Sequence, residues 1–234
     1  MPRSGMPQRL SRILDWMAAG LCVLLLLSWA ALASAEEPAA DVSARPALSA
    51  EEQADVARIE EYLNGISTLS SEYYQINPDG SVAQGMFYLS RPGKLRFEYV
   101  PPSPLLVVGD GVWLHYYDRE LGQVNDYPID KTPIGVLARE RIRFEPPLEI
   151  AGLMRRPGVI DLVLVDGEDP GQGSLTLTFA DRPIELKQWS ITDPQGRITT
   201  IAFVELSTNV PLDEGLFVFD DPRAKIGPGR ALRH

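Results

Sequence analysis

A series of short alternating segments between residues 80 and 123 constrains the fold more than any other part of the sequence. Leu95, Phe97 and Tyr99 alternate with charged side chains, which is the period-two pattern of a strand with one apolar face. Asp110-Gly111 between two apolar runs is typical of a tight hairpin turn, because such turns need positive φ at their central residues. The predicted strands are Ser81–Ser90, Leu95–Val100, Leu105–Val108 and Val112–Tyr117. The series predicts antiparallel hairpins and contains no catalytic motif.

The segment before these hairpins predicts an amphipathic helix. Ser49-Ala50-Glu51-Glu52 fits a capping box, in which Ser49 caps the helix and Glu52 bonds back to it. Gly65 predicts the end of the helix. Its apolar face is formed by Val56, Ile59, Leu63 and Ile66. We therefore expect this helix to pack on an apolar surface.

The remaining sequence predicts further strands and little helix. Thr132-Pro133 begins a second, short helical segment that we expect to end near Arg139, whereas residues 141–158 have no clear pattern. The other predicted strands are Ser70–Ile76, Gln123–Pro128, Val159–Val165, Leu175–Phe179, Ile184–Ile191, Arg197–Leu206 and Leu216–Phe219. The sum is about ten antiparallel strands with two or three short helices, and no internal repeat.

The N-terminal residues have the features of a secretory signal peptide. Arg3, Arg9 and Arg12 precede an apolar stretch at residues 17–32, and Ala33-Ser34-Ala35 is a small-x-small cleavage site. A membrane anchor is the alternative, but the apolar stretch is short for a membrane span. We predict four parts: a cleaved signal peptide at 1–35, a flexible lead-in at 36–47, one folded domain at 48–222 and a disordered tail at 223–234.

The composition of the exported chain excludes several classes of function. Cleavage removes three basic and one acidic residue from the 22 and 32 of the full chain, which leaves a net charge of −12 and argues against nucleic-acid binding. Cleavage also removes Cys22, the only cysteine, so disulfides and thiol chemistry are excluded. His115 and His234 are the only histidines, which is too few for most imidazole-based catalysis or metal binding.

Candidate catalytic carboxylates are present in sequence but not in a suitable arrangement. Glu51-Glu52 and Glu60-Glu61 are neighbours on the predicted helix, and adjacent helical residues do not face each other. No phosphate-binding loop and no nucleophile elbow is present. We predict a protein that is not an enzyme and that has no cofactor and no metal site.

Aromatic residues are concentrated in the first half of the predicted sheet: Tyr73, Tyr74, Phe87, Tyr88, Phe97, Tyr99, Trp113, Tyr116 and Tyr117. Most of them fit a core beneath the amphipathic helix. A sheet of about ten strands nevertheless has a wide apolar face, and one strong helix with two weak ones gives it little cover. A ligand cavity lined by some of these side chains is therefore a second interpretation.

Two motifs in the hairpin series carry a family resemblance. Arg91-Pro92-Gly93-Lys94-Leu95-Arg96-Phe97-Glu98-Tyr99, followed by Asp110-Gly111-Val112-Trp113-Leu114-His115-Tyr116-Tyr117-Asp118, resembles the LolA family of periplasmic lipoprotein carriers. Pro133–Arg139 is similar to the second helix of that family and Phe217–Phe219 to its last strand. The resemblance covers most of 48–222 and is weak between residues 141 and 159.

The resemblance implies a mainly β fold with a few helices: an incomplete antiparallel β-barrel, formed by a strongly curved sheet and closed by a helical lid over a hydrophobic cavity. Arg91 stands at the position of the arginine that latches the lid in that family. Leu95 replaces a phenylalanine of some members. The expected lining of the acyl-chain cavity is Phe87, Leu95, Phe97, Tyr99, Leu106, Trp113, Tyr116, Val136, Leu137 and Met154.

The function implied by the resemblance is a monomeric periplasmic shuttle that shelters the acyl chains of lipoproteins. It would accept them from an inner-membrane ABC-type release complex and deliver them to an outer-membrane receptor or to the outer membrane directly. Two alternatives remain open at this point. One is a carrier of another envelope lipid, such as a glycolipid or a hopanoid, and the other is an envelope-stress sensor module of the same fold.

Overall fold

One antiparallel sheet is the main element of the protein in a computed structural model, which describes residues 48–225. The strands are β1 (Thr68–Ile76), β2 (Val82–Ser90), β3 (Lys94–Tyr99), β4 (Leu105–Asp110), β5 (Trp113–Asp118), β6 (Gln123–Pro128), β7 (Leu148–Arg156), β8 (Val159–Asp166), β9 (Ser174–Ala180), β10 (Glu185–Thr192), β11 (Ile198–Phe203) and β12 (Ser207–Thr208). The helices are α1 (Ala50–Asn64) and α2 (Gly135–Ala138), with 3-10 helices at Ile129–Lys131, Pro170–Gln172, Glu214–Phe217 and Pro222–Lys225.

The sheet is curved but does not close on itself. Its strands lie in the order β6-β5-β4-β3-β2-β1-β11-β10-β9-β8-β7, and β12 also pairs with β1. The two ends of this order, β6 and β7, are not paired with each other. The predicted mainly β fold, with an incomplete antiparallel barrel, is therefore confirmed.

The concave inner face of the sheet carries the core. Alternation along β3 turns Leu95, Phe97 and Tyr99 inward, and the strand register places Phe87 beside Phe97. Their rings lie 4.6 Å apart between centroids, and Trp189 of β10 approaches Phe87 at 5.3 Å. The two halves of the sheet thus meet through aromatic contacts, each of which adds about 0.5–1.5 kcal/mol to the energy of burial.

Helix α1 covers part of this face. Its capping box is confirmed: the Ser49 backbone N–H donates to Glu52 Oε2 (2.8 Å), and the Glu52 N–H donates to Ser49 Oγ (3.3 Å). Ile59 and Leu63 are buried against the sheet, as the apolar period of the sequence predicts. The cap fixes where the helix begins, and its buried apolar face fixes which side packs on the sheet.

Two predictions of secondary structure are wrong in detail, and a strand occurs in the stretch for which no prediction was made. The second helix is confined to Gly135–Ala138, and a separate 3-10 helix, Ile129–Lys131, precedes it. Gly135 lies so close to the backbone of Ile129 that a Cβ would not fit there. The predicted strand Leu216–Phe219 is largely the 3-10 helix Glu214–Phe217. The unassigned stretch contains β7, whose alternation is interrupted by a bulge between Ile150 and Gly152.

The predicted signal peptide at 1–35 and lead-in at 36–47 lie outside the described residues. At the other end the described chain continues to Lys225, three residues past the domain boundary predicted at 222. Within residues 48–225, no helix has the length and apolar character that crossing a membrane requires.

Gly85 of β2 is a test of how closely the inner strands pack. A Cβ at this position would lie 2.1 Å from the backbone oxygen of Glu98 on β3. We expect Gly85→Ala to lower the free energy of unfolding by about 1–3 kcal/mol, because the sheet must shift to admit the methyl group. Urea unfolding followed by tryptophan fluorescence measures the loss.

Gly152 provides a matched control on another strand, since nothing lies within 4 Å of the place that a Cβ would occupy there and its φ is not positive. We expect Gly152→Ala to unfold within about 0.5 kcal/mol of the parent. Equal losses in the two variants would contradict the close approach of β2 to β3.

Candidate functional site

Arg91 connects the two helices that cover the inner face. It lies in the turn between β2 and β3, and its Nε donates to the Leu137 carbonyl oxygen of α2 (2.8 Å). Its Nη1 donates to the carbonyl oxygen of Ile66 (2.9 Å) and to that of Leu63, both at the end of α1. One side chain of the sheet thus holds α1 and α2 together.

The electrostatics of Arg91 suit this position. The carbonyl groups at the end of a helix carry partial negative charge, and those of Leu63 in α1 and Leu137 in α2 face the guanidinium together with that of Ile66. Burial lowers the pKa of Arg91 to about 10, so the side chain stays charged at neutral pH. Hydrogen bonds from a charged donor are stronger than neutral ones, which makes this a firm yet reversible attachment.

Asn64 makes a second connection within the cover. Its Nδ2 donates to the Ile142 carbonyl oxygen (2.9 Å), and its Oδ1 accepts from the Ile142 N–H (2.8 Å). Two residues on, the Phe144 N–H donates to Glu60 Oε1 (2.8 Å). We call α1 together with residues 129–144 the lid. Sequence reasoning missed Asn64, because its partners are backbone groups that no motif marks.

Six of the predicted cavity residues come together. Phe87, Leu95, Phe97 and Tyr99 lie on the inner face of the sheet, and Val136 and Leu137 of the lid belong to the same buried apolar cluster. In this closed arrangement the six side chains are buried between sheet and lid. Binding of an acyl chain here would require the lid to move.

The other four predicted residues lie elsewhere. Phe97 pairs with Val107, so Val107 faces inward and Leu106, the preceding residue of β4, faces outward. Trp113 of β5 faces outward for the same reason, because Leu114 pairs with Gly109 on the inner side. Met154 pairs with Asp161, whose side chain also lies outside, and is 55% exposed. Tyr116 is on the inner face but 37% exposed, near the open edge formed by β6. The structure therefore does not group these four with the buried cluster.

Sequence reasoning also missed the contribution of the second half of the sheet. Trp189 is buried, and its ring lies 5.1 Å from that of Phe203 and 6.0 Å from that of Phe97. The alternation of Leu175, Leu177 and Phe179 with threonines is the signal that could have indicated this second apolar surface.

The outer face carries a separate pocket. Its volume is about 520 Å³, and it lies between strands β3 to β5 and the chain at 214–221. The lining residues are Lys94, Asp110, His115, Glu214, Gly215, Phe217, Val218, Phe219 and Asp221. Phe219 stacks on His115 at 4.5 Å between ring centroids. We call residues 213–225 the outer segment; it covers the side of the sheet opposite the lid.

The chemistry available at the lid is that of packing and hydrogen bonding. Burial raises the pKa of Tyr99 to about 12, so its hydroxyl stays protonated and donates to Gln75 Oε1 (2.6 Å). No group of three or more metal-ligating side chains occurs between residues 48 and 225. The arrangement is suited to enclosing an apolar molecule.

The bonds of Asn64 give a local prediction. In Asn64→Ala the Ile142 N–H loses its acceptor, so we expect its amide hydrogen to exchange roughly tenfold faster, as for the loss of about one buried hydrogen bond. Gln53→Ala is the control: that side chain lies on α1 and bonds to Leu48 rather than to the lid segment. Unchanged exchange at Ile142 would show that the connection is not made in solution.

Comparison with known proteins places the chain in a family. Residues 64–220 match the family model described as outer membrane lipoprotein carrier protein LolA. The outer-membrane lipoprotein carrier protein of Dechloromonas aromatica is 32% identical over 179 residues, covering 71% of this chain and 84% of that protein. That of Methylococcus capsulatus is 29% identical over 175 residues, covering 71% and 83%.

Among solved structures, the chain is similar to an uncharacterized conserved protein from Thermus thermophilus, with a TM-score of 0.45 and 14% identity. The likeness covers 74% of this chain and 96% of that one.

The family match extends over two thirds of the sequence, from the end of α1 to the outer segment. The chain therefore belongs to the LolA family.

Proposed function

We propose that this protein carries lipoproteins through the periplasm, with their acyl chains sheltered between the sheet and the lid. The observation that carries the proposal is the attachment of Arg91 to both α1 and α2 above a buried apolar face. Its support from other proteins is the family itself, whose relatives are named outer-membrane lipoprotein carriers.

The physical task of such a carrier is to lower a large transfer barrier. Each methylene group removed from water contributes about 0.8 kcal/mol, so a chain of sixteen carbons represents about 12 kcal/mol. The inner face of the sheet is apolar across both halves, from Phe97 to Trp189 and Leu177. It therefore offers the kind of surface on which an acyl chain is stable.

The closed state explains how cargo can also leave. When the protein is empty, its own side chains occupy the inner face, so the vacated space is not exposed to water. Opening breaks the bonds of Arg91, each worth about 1.5–3 kcal/mol for a charged donor. This total is smaller than the transfer energy of one acyl chain. Binding of cargo can therefore compensate for the loss of the Arg91 bonds, and closure of the lid favours its release.

The direction of transport comes from the partners in this proposal. An inner-membrane ABC-type complex supplies lipoproteins, and an outer-membrane receptor or the outer membrane itself accepts them. The carrier acts as a monomer without cofactor or catalysis, because binding and release need only the apolar face and the lid. The signal peptide predicted at 1–35 accounts for its place in the periplasm.

Native mass spectrometry of the protein purified from its own periplasm tests the proposal. We expect a bound species with the mass of an acylated lipoprotein or of its acylated N-terminal peptide. A free glycolipid or hopanoid would instead indicate a carrier of another lipid. Protein without any ligand, but in complex with an envelope protein, would indicate a sensor.

Arg91→Leu tests the latch. The variant removes the three bonds to Leu63, Ile66 and Leu137 while leaving the apolar inner face intact. We expect it to fold and to take up lipoprotein, but to release cargo at least roughly tenfold more slowly, because the closed empty state has lost the bonds that stabilise it. A transfer assay from loaded carrier to outer-membrane vesicles measures the rate.

Arg96→Leu is the control for this substitution. Arg96 is in the same hairpin but bonds to the Leu216 carbonyl of the outer segment (3.1 Å) rather than to the lid, so its loss leaves the three bonds of Arg91 in place. Delivery at the parental rate by Arg91→Leu would contradict the role of Arg91, and equal slowing in both variants would mean that the hairpin rather than the latch is responsible.

A further inference from the structure

The first half of α1 is attached to the sheet by ion pairs. Asp55 is only 2% exposed, although it is a carboxylate on a helix that begins at the protein surface. Arg155 Nε lies 2.8 Å from Asp55 Oδ2, and Arg58 Nη1 lies 2.9 Å from Oδ1. A buried carboxylate between two guanidinium groups has its charge balanced in the closed structure.

Arg155 comes from β7 at the edge of the sheet. Pairing of Leu153 with Leu162 and of Arg155 with Ile160 turns Arg155 to the inner face, toward α1. Its Nη2 donates to Asp55 Oδ1 (3.2 Å), and its Nη1 contacts Glu51 in the first turn of α1. The same alternation that turns the apolar core residues inward therefore directs the Arg155 side chain toward α1.

Arg58 makes the corresponding contact to the turn between β9 and β10. Its Nη1 donates to Asp181 Oδ1 (3.1 Å) and its Nη2 to the Asp181 carbonyl oxygen (2.6 Å). The N-terminal half of α1 is therefore held by β7 and by the β9–β10 turn. The C-terminal end is held by Arg91 from the β2–β3 turn, in a distant part of the strand order.

We propose that Asp55 and Arg155 form a second clasp of the lid, independent of Arg91, and that both holds on α1 are released when cargo is bound. This inference rests on the proposed function, because it concerns the lid that the carrier must open. A helix of 15 residues spans about 22 Å, so two holds at its two ends restrain it better than one. Asp55 and Arg155 act as positioning residues: they hold α1 in place over the inner face.

The two holds differ in their physical nature. Arg91 bonds to uncharged carbonyl groups and is largely enclosed, whereas Arg58 and Arg155 keep about a third of their side chains in solvent. Salt reaches the clasp through these two arginine side chains and through Glu51, the exposed partner of Arg155, so it weakens this hold more than it weakens the enclosed bonds of Arg91 to carbonyl groups. Asp55 Oδ2 also has no well-aligned hydrogen bond within the described chain, which leaves its attraction to Arg155 mainly ionic. The clasp is therefore the salt-sensitive hold.

Hydrogen exchange of the empty protein, measured by mass spectrometry, tests the clasp without any cargo. In Arg155→Gln we expect the amides of residues 51–58 to exchange roughly tenfold faster, while those of residues 139–144 keep the parental rate. Arg155→Lys retains the charge and should recover most of the protection. In the parent, raising NaCl from about 0.05 M to 0.5 M should speed exchange in residues 51–58, and in Arg155→Gln it should have little further effect.

Arg156→Gln is the matched control. Arg156 is the next residue on β7, but it faces outward and pairs with Asp161 (Nη2 to Oδ2, 2.6 Å). Its loss removes an ion pair of the same kind without touching α1, so exchange in residues 51–58 should remain parental. Parental exchange in Arg155→Gln, or an equal increase in Arg156→Gln, would overturn the clasp. The salt dependence of the parent needs no substitution and still decides the question if a variant does not fold.

A release measurement separates this inference from the proposed function. A fluorescent triacylated lipopeptide is loaded on the protein, and its transfer to vesicles of phosphatidylethanolamine and phosphatidylglycerol is followed. We expect slower release from Arg155→Gln than from the parent and from Arg156→Gln. Failure of the parent to bind the lipopeptide would refute the carrier function, with the exchange data still testing the clasp. Faster exchange together with unchanged release would refute the role of the clasp in carrying.

Discussion

An open sheet with an apolar inner face must be covered, and this chain has little helix with which to cover it. The attachment of Arg91 to carbonyl groups of both α1 and α2 solves this problem, because a single charged side chain holds two short elements in place. The apolar surfaces of Ile59, Leu63 and Leu137 then pack against the sheet. The attachment is thus polar whereas the covered surface is apolar, so the two contributions to the closed structure are of different kinds.

The division of work between polar and apolar contacts is consistent throughout the lid. Asn64, Glu60 and Arg91 bond to backbone groups, while Asp55 forms ion pairs with arginine side chains. Backbone bonds fix where the elements lie, and apolar packing buries the inner face of the sheet.

The elements of the fold that local sequence determines were predictable. The capping box of α1 and the hairpin turn at Asp110-Gly111 depend on a few adjacent residues, and both are present. The facing of Leu106 and Met154 was not predictable, because a shift of one residue in register turns a side chain to the other face. The family resemblance predicted that Arg91 contacts the lid, but not which carbonyl groups it bonds, since every residue has one and only the fold brings these three to one point.

The outer segment gives the lid a firm base. Its first 3-10 helix, Glu214–Phe217, packs against the outer side of β3 and β4. Arg96 bonds to Leu216, and Phe219 stacks on His115. Leu106 and Val108 of β4 are consequently buried although they point away from the core. The hairpin that bears Arg91 is thereby covered on both faces, whereas the side of α1 that bears Gln53, Ala57 and Glu61 is exposed. Motion of the lid is therefore expected to be motion of α1, since the hairpin that bears Arg91 is supported on both faces.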